Sequence, residues 1–325
     1  MKTKIFVLLM VVLVSGLLLP LASNAITVSP PLIEIDANRG DVINQVLKVR
    51  NEEAVPVTYY LSAERFVASG EQGEPQFVGE DVGLATWIKF NVDSIVVPAG
   101  QTIEVPFSIN VPNYAGPGGQ YAAIFLSTLP PSAAKGGSQV TIASKIGTLV
   151  LVKIAGEIKE SAQVAEFSAG SGSYLALPAN FKIRVENNGN IHVKPMGTIL
   201  IKNAFGSVAG EVKVNDNGGN VLPEQTRKFE SAWVKNANAT GATTFWGKYR
   251  QEKENYAFGK YSADLTLAYG TAGRVLNAKT SFWVIPWHIL IVNLIVLVII
   301  VVILYFLLKQ YNAYIVKKYS GSKKK

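Results

Sequence analysis

Twenty consecutive residues, Ile289 to Leu308, carry one strongly polar side chain, Asn293. As a helix rising ~1.5 Å per residue they cover ~30 Å, the hydrocarbon thickness of a bilayer. A run of this length and uniformity has no place on the surface of a water-soluble domain, so residues 287–308 are read as a transmembrane helix. Trp283 and Trp287 stand on one side of the run, and Tyr305, Tyr311 and Tyr314 at the other, where aromatic belts meet the headgroups. Trp287 and Ile289 at one end, Leu308 and Lys309 at the other, mark the membrane anchor. The tail, 309–325, holds six lysines and no acid, which makes it the cytoplasmic side.

The opposite end agrees. Lys2 and Lys4 precede an apolar run from Ile5 to Leu21, and Ser23 and Ala25 have the spacing of a signal-peptidase site. Residues 1–25 read as a removed export signal. No Cys follows the run, which excludes lipoprotein attachment. The expected topology is single-pass in the cell membrane, N-terminus outside and C-terminus cytoplasmic. The formal charge of +8 comes from these ends, because the 23 Lys and Arg between them equal the 23 acids. A neutral body gives no sign of a nucleic-acid face. Zero Cys and two His exclude thiolate metal sites, cysteine catalysis and a His-rich centre. No cofactor and no enzymatic activity are expected.

Residues 26–286 alternate with a period of two. Ile103, Val105, Phe107, Ile109 and Val111 interleave with polar residues or Pro106, and Tyr261, Ala263, Leu265, Leu267 and Tyr269 interleave with Ser262, Asp264, Thr266 and Ala268. Such alternation means strands half buried in a sheet. Further runs cover 45–50, 57–64, 140–154, 181–186 and 274–284. Gly, Pro and Asn clusters at 113–119, 130–137, 187–190 and 215–220 punctuate them. No stretch of this region has a helical period.

The region also repeats. Val49-Arg50-Asn51 before Val55-Pro56-Val57 matches Val185-Glu186-Asn187 before Ile191-His192-Val193. Val96-Val97-Pro98 with Gln101-Thr102 matches Val221-Leu222-Pro223 with Gln225-Thr226, and Gly119-Gln120-Tyr121 matches Gly259-Lys260-Tyr261. Three matches in one order imply two copies of a ~130-residue unit, placed at 26–158 and 159–286. The expected fold is an all-β ectodomain of two tandem immunoglobulin-like β-sandwiches plus one C-terminal transmembrane helix. Tyr121 and Tyr261 are expected to be its corner tyrosines, ring in the core and hydroxyl on nearby backbone.

The segments Ile26-Thr27-Val28-Ser29-Pro30-Pro31, Leu47-Lys48-Val49-Arg50-Asn51, Val97-Pro98-Ala99-Gly100-Gln101-Thr102 and Gly118-Gly119-Gln120-Tyr121 resemble the PapD-like immunoglobulin domains of bacterial envelopes. The plan of signal, two β domains, one helix and basic tail is most similar to the WxL-interacting surface proteins of Gram-positive bacteria. That resemblance implies peptidoglycan binding by the first domain and a partner envelope protein for the second. It covers 26–155; beyond 160 it rests on architecture. A membrane-tethered chaperone lending a strand edge to an exported subunit is the alternative it allows. Its motifs are marks of fold and transfer no ligand-contacting residue.

Most other constellations are bland. His192 sits in a turn and is expected to be solvated, and His288 beside Trp287 is read as an interfacial side chain. The segment Phe245-Trp246-Gly247-Lys248-Tyr249-Arg250 interleaves aromatics with cations. Trp246, Lys248, Tyr249 and Arg250 suit stacking on sugar rings and pairing with acidic groups of a wall polymer. The competing expectation places half of these side chains in a sandwich core, with Lys and Arg on its wet face.

Overall fold

The computed structural model describes residues 26–79, 82–130, 145–170 and 172–320. The expected export signal, the last five residues and nearly all of the expected 130–137 turn lie outside them. The described chain forms two compact units. One ends at Lys159, and the other runs from Glu160 and includes the short segment Gly70–Glu74.

The first unit holds β1 (Ile26–Ser29), β2 (Leu32–Ala37), β3 (Val42–Asn51), β4 (Val57–Ser69), β5 (Glu74–Phe77), the short α1 (Leu84–Trp87), β6 (Ile88–Phe90), β7 (Ser94–Val97), β8 (Thr102–Asn110), β9 (Gly118–Ser127) and β10 (Lys145–Ile154). One sheet has the order β1-β3-β8-β6; the other has β2-β10-β9-β4-β5, with β7 on the free half of β4. The second unit holds β11 (Ala162–Ser168), β12 (Ser173–Tyr174), β13 (Ala179–Asn187), β14 (Met196–Asn203), β15 (Val208–Val214), β16 (Thr226–Trp233), α2 (Phe245–Glu254), β17 (Gly259–Tyr269), β18 (Arg274–Val284) and α3 (Trp287–Ser320). Its sheets run β11-β13-β16 and β12-β18-β17-β14-β15.

The two wiring diagrams coincide. In each unit the first strand pairs antiparallel in one sheet, and the second crosses to the other sheet to lie parallel to the last strand. Ile33 stands beside Val150 in the first unit, and Ser173 beside Trp283 in the second. Only β6 and β7 lack counterparts. Two such units are immunoglobulin-like sandwiches. The alternating residues face inward as expected. Val105, Phe107 and Ile109 pack with Leu47, Val49 and Leu126 in one core, and Tyr261, Ala263, Leu265 and Leu267 pack with Phe181, Ile183 and Phe282 in the other.

The repeated asparagines explain the shared turn. Asn51 and Asn187 end β3 and β13 with side chains fully buried. The Asn51 amide donates to the carbonyls of Val55 (2.8 Å) and Val97 (3.0 Å), and its Oδ1 accepts from the Glu53 N–H (2.9 Å). Asn187 donates to Ile191 (2.8 Å) and Val221 (2.9 Å) and accepts from Gly189 (2.9 Å). Each side chain closes its own turn and fastens it to a distant segment, satisfying groups that burial would orphan. Val97, not Val96, is therefore the counterpart of Val221. His192 departs from expectation. It is 5% exposed, because the Asn187 latch and the bridge between Val193 and Val221 draw its turn onto the sandwich.

The C-terminal apolar helix also differs from its expected end. α3 continues past Leu308 to Ser320, since Lys309 to Val316 contains neither Gly nor Pro to stop it. Trp287–Val316 is long and apolar enough to cross a membrane, with none of its apolar window buried against the protein. Trp287 and Leu308 are exposed along it.

Candidate functional site

The segment 245–254 is a helix, which corrects the expectation that no stretch of 26–286 has a helical period; the sandwiches themselves are built of strands as expected. Thr244 caps it, its hydroxyl accepting from the Gly247 N–H at 3.1 Å. From Lys248 to Glu254 every residue is a helix former or tolerant of helix. Asn255 closes the helix from a buried position. Its carbonyl accepts from the Lys235 and Asn236 N–H groups, and its amide donates to Asn236 and Ala239. Gln251 ties the helix to the sandwich by donating to the Leu177 carbonyl at 3.1 Å.

One face of α2 carries Trp246, Tyr249, Arg250 and Lys253, at the i, i+3, i+4, i+7 spacing of a single stripe. With Glu254 they border a shallow depression. Trp246 is 68% exposed and meets Tyr249 edge to face at 5.9 Å. Neither Trp246 nor Phe245 enters the sandwich core. Lys248, exposed, lies off this stripe, so the structure gathers three of the four expected residues and leaves the fourth apart.

The other face of α2 carries a residue the sequence reading passed over. Glu252 is 2% exposed, and its carboxylate accepts from the backbone N–H of Ile289 (2.9 Å) and of His288 (3.3 Å). It also lies 2.6 Å from His288 Nδ1. These amides are the first of α3, which have no partners within their own helix. A carboxylate there meets both the orphan donors and the positive end of the helix dipole. Phe245 completes the joint, its ring centroid 5.1 Å from that of His288. His288 is thus the partner of a buried acid, a role that its expected place beside Trp287 did not suggest. Only Ile285 and Pro286 separate β18 from α3, and the Ile285 N–H is held by the Tyr174 carbonyl at 2.8 Å.

A second set of aromatics lies on the first sandwich, on the outer face of its larger sheet. Phe66 of β4, Phe77 of β5, and Tyr121 and Phe125 of β9 meet there. Phe66 touches Phe77 (6.3 Å) and Tyr121 (6.0 Å), and Phe77 meets Phe125 at 4.7 Å. The Phe125 ring lies over Gly147 of the neighbouring strand, where any Cβ would stand 2.8 Å from it. Lys145 Nζ sits 3.8 Å above the same ring and pairs with Glu64 at 2.5 Å. Phe77 is exposed and Tyr121 half-buried, so two rings with a charged rim face outward.

This placement separates the two expected corner tyrosines. Gly118 and Gly259 open β9 and β17 opposite the last residues of β10 and β18, Ile154 and Val284. Gly118, not Gly119, is therefore the counterpart of Gly259. A shift of one residue turns a side chain to the other face of a strand. Tyr261 points into the core, stacked on Phe282 at 5.7 Å, and its hydroxyl accepts from the Phe258 N–H at 3.2 Å. Tyr121 points out, beside Phe66, and is not a core tyrosine.

No group of three His, Cys, Asp or Glu side chains suited to a metal ion occurs among the described residues. No protein-family model matches the chain, and no curated protein matches it. Among solved structures the chain is similar to the class 5 fimbriae chaperone CfaA, with a TM-score of 0.40 and 12% identity over 79% of this chain and 99% of that one. It is similar to the CsuC-CsuE chaperone-tip adhesion subunit pre-assembly complex of Acinetobacter baumannii, at 0.37 and 11% over 78% and 97%. The Pseudomonas aeruginosa CupB2 chaperone gives 0.36 and 10% over 79% and 100%.

Proposed function

We propose that this chain is a non-enzymatic, single-pass membrane scaffold that displays two immunoglobulin-like sandwiches outside the cell to bind an envelope component. The observation that carries the reading is the joint at α3. A helix long and apolar enough to span a bilayer leaves the second sandwich after two residues, with its first turn capped by the buried Glu252. Such a joint sets the sandwich directly on its anchor. The proposed orientation is ectodomain outside and Lys-rich tail inside.

Peptidoglycan is the proposed ligand of the first sandwich. The support is the cluster of Phe66, Phe77, Tyr121 and Phe125, whose outer members are Phe77 and Tyr121 and whose Phe125 carries Lys145 and Glu64 at its rim, since flat rings with polar neighbours suit sugar recognition. The second sandwich is the proposed seat of a partner envelope protein. The test is sedimentation of the detergent-solubilised chain with purified cell walls. Phe77→Ala should abolish retention while Trp246→Ala leaves it intact. Retention unchanged by Phe77→Ala refutes the site, and capture of an exported protein without wall retention refutes the ligand.

A further inference from the structure

Among the described residues of 160–286, six aromatic side chains are exposed: Phe205, Phe245, Trp246, Tyr256, Phe258 and Trp283. Strand register puts them at one end of the second sandwich. β17 opens at Gly259 opposite Val284, the last residue of β18, and Tyr256 and Phe258 lead into that opening. β14 ends at Asn203 opposite Tyr261, and the turn that follows holds Phe205, 94% exposed. Trp283 is the penultimate residue of β18, beside β12. Phe245 and Trp246 sit on α2, and the Phe245 ring touches His288 in the first turn of α3. This is the end from which α3 emerges.

The opposite end is different in kind. The β17–β18 turn there is polar, with the Thr271 N–H and hydroxyl bonded to Glu160, and its exposed apolar neighbours are Val275 and Met196. Exposed aromatics gathered at a single end, with Lys248, Arg250 and Lys253 among them, have the composition of a membrane-interface belt. An apolar side chain left in water at this density has no stabilising role in the free ectodomain.

We infer that the α3 end of the second sandwich is seated in the lipid headgroup layer. Phe205, Trp246 and Trp283 enter the boundary with the acyl chains, and the α2 cations meet lipid phosphates. The sandwich touches the bilayer as a face, through α2 and the β14–β15 turn, as well as through its helix. The inference rests on α3 crossing the bilayer. It assigns α2 to lipid in place of a wall polymer.

The chain has no cysteine, so single labels report one position each. Phe205→Cys, Trp246→Cys, Ile300→Cys and Val275→Cys variants of the full chain carry an environment-sensitive fluorophore in vesicles of phosphatidylcholine and phosphatidylglycerol. Lipids bearing nitroxides at graded depths then quench them. Positions 205 and 246 should lose fluorescence to shallow nitroxides, at a depth of about 5–10 Å. Position 300 should lose it to deep ones, and position 275 should keep it. Probes at 205 and 246 that behave like 275 while 300 is quenched overturn this inference alone. An unquenched probe at 300 overturns the spanning reading itself. Protection of 246 by soluble wall fragments without lipid quenching restores the sugar-binding reading of α2 and also overturns the inference.

Discussion

Replacing Asn187 by alanine removes three buried hydrogen bonds at once and leaves the carbonyls of Ile191 and Val221 and the N–H of Gly189 without that partner. Each such bond contributes about 0.5–1.5 kcal/mol net, and the loss should reach about 3 kcal/mol, more if water fails to reach the turn. Against a typical domain stability of about 5–15 kcal/mol this is a large fraction. Amide exchange followed by mass spectrometry reads it locally. Protection of β13 and β16 should fall about a hundredfold, one decade for each 1.4 kcal/mol, with β3 and β8 unchanged. Asn51→Ala should produce the mirror result, because its three bonds are the same. Asn187→Asp sharpens the test. The carboxylate keeps the acceptor for Gly189 but turns two donated bonds into contacts between oxygens, so it should be worse than alanine at neutral pH. Burial raises the pKa of that carboxyl, so the extra loss should shrink as pH falls and the group takes up a proton. Loss below about 0.5 kcal/mol in Asn187→Ala, within the range of unremarkable surface changes, refutes the latch.

Two further outcomes concern acidic side chains. Glu252→Ala should loosen the first turn of α3 by about 1–2 kcal/mol, read as a roughly 5–30-fold rise in exchange of the His288 and Ile289 amides, while Glu252→Gln keeps part of the protection. Asp264 is held below the usual aspartate range, first by its hydrogen bond from Lys202 and also by Lys279, with both Nζ atoms near 3 Å. A depressed folded pKa stabilises the ionised form, so this support is complete above the ordinary aspartate pKa and disappears as pH falls through the lower folded value. Asp264→Asn should flatten that acid limb of the stability curve by about 1 kcal/mol or less, as partly exposed pairs do. An unchanged limb would show that other carboxylates govern it.

How much of this was legible in the sequence depended on the scale of the signal. Period-two alternation placed β8, β17 and β18, and the asparagines at 51 and 187 marked the repeat, because both signals belong to residues whose neighbours are fixed by the strand itself. The Tyr121–Tyr261 match failed by one position. Two glycines stand together at 118–119, only one answers Gly259, and sequence has no means of choosing between them. α2 left a trace that strand reading ignored: Thr244 followed by a charged run without alternation. Glu252 left none, since its partners are backbone amides thirty-six and thirty-seven residues away.

The two-residue step from β18 to α3 has a mechanical consequence. On the proposed topology, tension between the bilayer and a ligand of the ectodomain enters the second sandwich at the C-terminal end of β18. That strand is paired with β17 along all eleven of its residues and with β12 at its last strand positions. A load drawn along β18 therefore meets every rung of the ladder together, in shear, and cannot peel them apart one by one.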